Sequence, residues 1–177
     1  MIDEEFREIT GMELPERLTH SIEEGLMRKD SLFHILADLH YDSPETFSRL
    51  RERVHCWLVE ERSGRILSLA GYLSYIFEDY ESAADFFLET ITLNPGNLDT
   101  WMDLAFSLYH GDSRLAYAIL FNYDLYIRLY GELGYKSCTL QCIDEISDEI
   151  RKRGLELSQN FKAYLPVESS GIHPQPE

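Results

Sequence analysis

GYLSYIFEDYESAADFFLETITLNPGNLDTWMDLAFSLYHGD, from Gly71 to Asp112, reads as helix, break, helix, Asn-Pro-Gly, helix. Gly71 lies inside a strongly apolar helical pattern, where glycine costs about 1 kcal/mol relative to alanine. Thirty-four residues later stands Ala105, and Leu67 is followed at the same interval by Trp101. Laying 64–97 over 98–131 also pairs Tyr75 with Tyr109, Ala84 with Ala118 and Phe87 with Phe121. Large residues match large and small match small, which marks an internal repeat. Small side chains let two helices approach to about 8–10 Å. Gly71 and Ala105 therefore read as packing positions, with Ala83, Ala84 and Phe87 as the facing surface.

In the first unit one helix is expected over 65–77 and a second over 80–93, ending at Asn94-Pro95-Gly96. Proline cannot continue a helix, and it pushes its predecessor out of the helical region. Asn97 or Asp99 can then cap the next helix. The residues Leu67, Ala70, Gly71, Tyr80, Ala83, Phe87 and Pro95 closely resemble the tetratricopeptide repeat pattern of a large residue, Leu-Gly, Tyr, Ala, Phe and Pro. Ser74 stands where that family has a mid-helix tyrosine, with Tyr75 beside it. The second unit keeps Trp101, Leu104, Ala105 and Phe121, but has Tyr117 in place of alanine and no terminal proline.

The flanks are less regular. Residues 30–61 again read as helix, Ser-Pro break, helix, with Phe33 and Ala37 falling on Leu67 and Gly71. Ser43 is the expected N-cap and Pro44 the first helical residue. Phe47, Leu50, Val54, Trp57 and Leu58 keep helical spacing. Residues 15–28 suggest a short amphipathic helix within an acidic extension over 1–30. Residues 137–160 suggest a terminal helix with Leu140, Ile143, Ile146, Ile150 and Leu155 inward, its polar outer face suited to capping. The domain plan is thus an extension over 1–30, hairpins at 31–61, 64–95 and 98–131, a capping helix at 137–160, and a mobile tail over 161–177.

The formal net charge of −16 repels phosphate backbones and anionic lipid, so neither nucleic acid nor a membrane surface is an expected partner. No run of about 18 apolar residues occurs, and MIDEEFREIT lacks the basic then apolar regions of a secretory signal. Three scattered cysteines, Cys56, Cys138 and Cys142, suit a reducing cytoplasm better than a disulfide framework. Cys138 and Cys142 share a face if both are helical, but a metal needs further ligands that the neighbourhood does not offer. His55 and Cys56 diverge by about 100° on a helix and cannot form a nucleophilic pair. His34 and His40 lie beside an apolar stripe and read as core or rim. Asp144, Glu145, Asp148 and Glu149 read as a solvated helix face. With no phosphate-cradling loop or nucleophile elbow, neither an enzyme nor a cofactor or metal site is expected.

The informative constellation is aromatic. At 3.6 residues per turn, Tyr72 and Tyr75 fall about 120° from the packing face of the first helix, with Phe106 and Tyr109 equivalent to them one repeat later. In tetratricopeptide proteins that face lines a concave peptide groove. The resemblance implies a groove of Tyr72, Tyr75, Ile76, Met102, Phe106 and Tyr109. Arg65 alone offers a cation there, so capture of a terminal carboxylate is not expected. An apolar peptide or helix suits such a lining, and Asp79, Asp99 and Asp103 favour a basic flank. The alternative is that the N-terminal helix folds across this face. The helix over 114–134 is apolar nearly all round and must be buried on more than one side, either under 137–160 or at a subunit or homo-oligomer interface. Tyr123, Tyr126 and Tyr130 form one stripe on it.

The expected fold is all-α, a short right-handed stack of helix-turn-helix hairpins with an N-terminal helix and a C-terminal capping helix. The expected function is a non-enzymatic interaction module, an adaptor or chaperone. Size, acidity and hairpin number are similar to the tetratricopeptide chaperones of bacterial type III secretion, which cradle translocator proteins. The alternative is a structural subunit assembled through 114–134.

Overall fold

The computed structural model describes residues 1–16 and 22–153, and every regular element among them is helical. In chain order these are α1 (Ile2–Thr10), α2 (Ile22–Met27), α3 (Leu32–Asp42), α4 (Pro44–Glu60), α5 (Gly64–Ile76), α6 (Tyr80–Leu93), α7 (Leu98–Leu108), α8 (Ser113–Glu132) and α9 (Leu140–Lys152). Each helix from α2 to α8 packs against its successor in the chain. The expected tail over 161–177 and the end of the expected capping helix lie outside the described residues.

The breaks fall where the local chemistry dictates. Asp79 caps α6 by accepting the Ser82 N–H at 3.2 Å, and Asn97 caps α7 by accepting from Asp99 at 3.1 Å. Ser43 precedes α4 with Pro44 at the first position, but its hydroxyl bonds Thr46 Oγ1 at 2.8 Å and caps no backbone donor. A Cβ on Gly71 would stand 2.6 Å from the Phe87 ring. The α5–α6 contact therefore closes only around glycine, which offsets its helix-propensity cost. Leu67, Ala83, Phe87 and Trp101 are fully buried, and the Trp101 indole donates to the Pro95 carbonyl at 2.9 Å.

Two departures from expectation shape the molecule. Residues 2–10 form α1, an unanticipated helix whose Phe6 is fully buried and which leans on α4. Helix α8 is interrupted at Asn122 (φ −139°, ψ 27°), whose side-chain amide donates to the Ala118 carbonyl at 2.8 Å. The apolar circumference of α8 is divided between α7 and α9. Tyr126 and Tyr130 are buried, and Tyr126 bonds Ser147 Oγ at 2.8 Å, while Tyr123 is half-buried.

Candidate functional site

The α5 and α7 positions expected to share one open face fall into two environments. Tyr72 is 2% exposed. Phe33 meets its ring edge-on at 5.9 Å and Phe87 lies at 5.8 Å on another side. The cover comes from α2, which packs on both α3 and α7. Ile22 is fully buried, and its N–H donates to Asp103 Oδ1 at 2.7 Å across 81 residues of sequence. Asp103 also accepts from the Tyr72 hydroxyl. Desolvation raises the Asp103 carboxyl well above its usual range against those two stabilising bonds, because burial penalises the charged form. Desolvation likewise raises Tyr72, with Asp103 adding to it. A Cβ on Gly25 would come within 2.5 Å of Phe33, so α2 reaches this depth only because residue 25 has no side chain. Tyr72 as an open groove residue is corrected: its rim is occupied by the chain itself.

The N-terminal segment is anchored at both ends. Arg65 binds Asp3 and donates to the carbonyls of Leu14 and Pro15, each at 2.8 Å. The one cation of the expected groove is thus spent on the extension. Glu5 binds the Arg53 guanidinium and accepts from the Trp57 indole at 2.9 Å. Arg53, then Trp57, hold the Glu5 carboxyl down at about 2.

Farther along the same face the surface is open. Tyr75, Phe106, Tyr109, His110, Tyr117 and Leu120 line a cavity of about 330 Å³, floored by Ala105 and Ala116. Tyr109 stands at 89° to His110 and 82° to Tyr117, with ring centres 5.7 and 5.6 Å away. His110 stacks on Tyr80 at 3.6 Å, and Tyr80 packs edge-on to Tyr75 at 5.2 Å. The rings therefore brace one another rather than swinging free. Small residues at 105 and 116 leave the space that the rings enclose. Ile76 and Met102 are half-buried and do not line the cavity. His110, Tyr117 and Leu120 are not among the groove residues expected from the sequence, where Tyr117 figures only as a departure from the repeat pattern. The helical spacing of Tyr117 and Leu120 was the available signal.

The electrostatic setting is one-sided. Residues 66–113 hold eight carboxylates and neither lysine nor arginine. Glu78, Asp79 and Asp112 line the adjoining cleft, which His110 shares with the aromatic cavity. Among the described residues, no three His, Cys, Asp or Glu side chains gather in a metal-holding cluster, and no helix is long and apolar enough to cross a membrane. His40 packs at 4.6 Å on Phe47, and on α9 Asp148 pairs with Arg151 and Glu149 with Arg153.

Cys138 does not lie on the helix expected over 137–160, because α9 begins only at Leu140. It precedes Thr139, the N-cap of α9, and Cys142 occupies the third helical position. No family model matches this chain, nor does any curated protein or solved structure.

Proposed function

We propose that the chain is a non-enzymatic protein-interaction module, an adaptor or chaperone built as a short stack of tetratricopeptide-like hairpins and working in the cytoplasm. The hairpins are 31–61, 64–95 and 98–131, and their shared face holds an apolar helix or extended peptide of a partner protein. The observation that carries this reading is the open aromatic cavity bounded by Phe106, Tyr109 and Tyr117 beside a carboxylate-rich stretch without lysine or arginine. An apolar anchor fills the cavity, and lysine or arginine flanking it meets Glu78, Asp79 and Asp112. Tyr72 belongs to the support of this site rather than its surface.

The test is fluorescence anisotropy with labelled helical peptides that share an apolar anchor and differ only in flanking charge. Basic-flanked peptides bind more tightly than acidic-flanked ones. Phe106→Ala weakens binding about tenfold, which corresponds to about 1.4 kcal/mol at an aromatic anchor. Equal binding by Phe106→Ala and wild type, or no preference for flank sign, overturns the assignment.

A further inference from the structure

The sulfurs of Cys138 and Cys142 lie 3.9 Å apart, with both residues buried. They are positioned from different sides. The Cys138 N–H donates to Thr92 Oγ1 of α6 at 2.7 Å, which fixes the loop entering α9. Cys142 is held by a capping box: its N–H donates to the Thr139 hydroxyl at 3.2 Å, and its sulfur accepts the Thr139 N–H at 3.4 Å. Because Cys138 lies outside the helix, its side chain is free of the parallel course that two helical cysteines four apart would take. A disulfide requires sulfurs about 2.0 Å apart. Roughly 1 Å of movement by each sulfur reaches it.

The surroundings favour reaction over inert packing. Cys138 lines an open cleft of about 570 Å³ between α6 and the start of α9, shared with Leu88, Thr92 and Gln141, so a small oxidant can come up to the Cys138 side of the pair, with the Cys142 sulfur 3.9 Å behind it. Cys138 hydrogen bonding and the Thr139 N–H lower the Cys142 thiol, while Cys138 itself is pushed up. A thiolate at a helix start beside a retained thiol is the arrangement from which exchange begins. The buried Tyr130 hydroxyl lies within electrostatic reach of both sulfurs and beside Thr92.

We propose that Cys138 and Cys142 form a redox-modification site that closes to an intramolecular disulfide with a peroxide as oxidant. The Cys142 thiolate attacks one peroxide oxygen. The S–O bond forms, the O–O bond breaks, and the departing hydroxide takes the Cys138 proton to leave as water. The Cys138 thiolate then attacks the Cys142 sulfenic sulfur, forming S–S and expelling hydroxide, which takes up the proton that Cys142 released on ionising and leaves as the second water. In sum, two thiols and one peroxide give one disulfide and two waters. Closure replaces the Thr139 N–H bond to sulfur with a covalent link and ties the first turn of α9 to the loop anchored on Thr92.

The experiment uses the full chain carrying Cys56→Ser, since Cys56 on α4 is exposed and would cross-link molecules. Hydrogen peroxide is added under native conditions, the sample is acid-quenched and unfolded, and free thiols are alkylated before peptide mapping. The expected result is loss of two hydrogens, a single 138–142 linkage reversed by dithiothreitol, and no alkylation at either cysteine. In Cys56→Ser/Cys138→Ser, checked for folding by circular dichroism, Cys142 is trapped by dimedone as sulfenic acid. Free thiols at both positions after peroxide, a linkage that forms only in urea, or over-oxidation of Cys142 with Cys138 still alkylatable overturns the proposal.

Discussion

The two ends of the α5–α7 face differ in what covers them, although aromatic residues stand at both. Tyr72 on α5 and Phe106 on α7 are thirty-four residues apart. Tyr72 lies beneath α2 with its hydroxyl on Asp103, whereas Phe106 lines an open cavity. Two helices thus supply similar aromatic positions, and a segment that precedes both makes one of them core. The position within a helix sets which way a side chain points. What it meets there is set by chain that arrives from elsewhere.

The sharpest break in this comparison is Tyr72→Ala. Truncating a buried aromatic costs about 3–5 kcal/mol, and here it also strips a hydrogen bond from the buried Asp103. A melt or urea titration should show a loss of that size. A loss under about 1 kcal/mol would mean that α2 does not seal this end in solution, since a solvent-facing ring has little burial to lose.

Gly25→Val tests the seal itself. In an isolated helix, replacing glycine is favourable by up to about 1 kcal/mol. In α2 the new Cβ meets Phe33 at 2.5 Å, and the atoms it strikes include the Phe33 Cβ, which cannot swing aside. Overpacking of this kind costs about 1–3 kcal/mol, so the clash outweighs the propensity. The expected result is a moderate destabilisation with faster amide exchange over 22–27. Unchanged exchange there would place residue 25 away from α3.

How much of this was legible follows from how local the signals are. Helices α5 and α6 could be read because apolar period, Asn-Pro-Gly break and the match of Leu67 to Trp101 all agree. Helix α1 carries Ile2, Phe6 and Ile9 on one face, but four carboxylates in its first eight residues mask that spacing. The break at Asn122 within α8 has no proline or glycine to announce it. The bond from Ile22 to Asp103 joins positions 81 residues apart, and nothing near Asp103 distinguishes it from a surface carboxylate. The open cavity was half legible: Tyr75, Phe106 and Tyr109 follow from helical position. His110 enters from the turn after α7, stacked on Tyr80, and Tyr117 enters only because α8 packs back on α7.

Asp103 gives the closed end a pH signature. Its carboxyl is raised in the folded protein, chiefly by desolvation. A group raised on folding contributes stability fully below its unfolded pKa, and that contribution is lost as pH rises through the folded value. Asp103→Asn keeps an oxygen for the Ile22 N–H and removes the ionisation. The stability of Asp103→Asn relative to wild type should therefore climb as pH is raised above the ordinary carboxylate range. The global acidity of the chain affects both proteins alike and cancels in the difference. A difference independent of pH would show that Asp103 titrates as an exposed acid and that α2 does not bury it.

The smallest effect on stability is expected at the open end, from Tyr109→Ala. Tyr109 is 49% exposed, against 2% for Tyr72. Half of its ring area is already in water, so truncation forfeits only part of the usual burial term. Its edge-to-face contacts with His110 and Tyr117 are each worth about 0.5–1.5 kcal/mol at most, and solvent on the other side lowers that. The melt should shift by about 1 kcal/mol or less. Binding of the basic-flanked apolar peptide should fall several-fold, because the cavity loses the wall that orients its other rings. This pairing of small stability loss with large affinity loss is the reverse of what Tyr72→Ala should show. If Tyr109→Ala instead destabilised the fold as strongly as Tyr72→Ala, the two ends would be equivalent core and no open site would remain. If it changed neither stability nor affinity, the peptide would be held elsewhere, and the aromatic cavity would be a gap between α7 and α8 with no ligand.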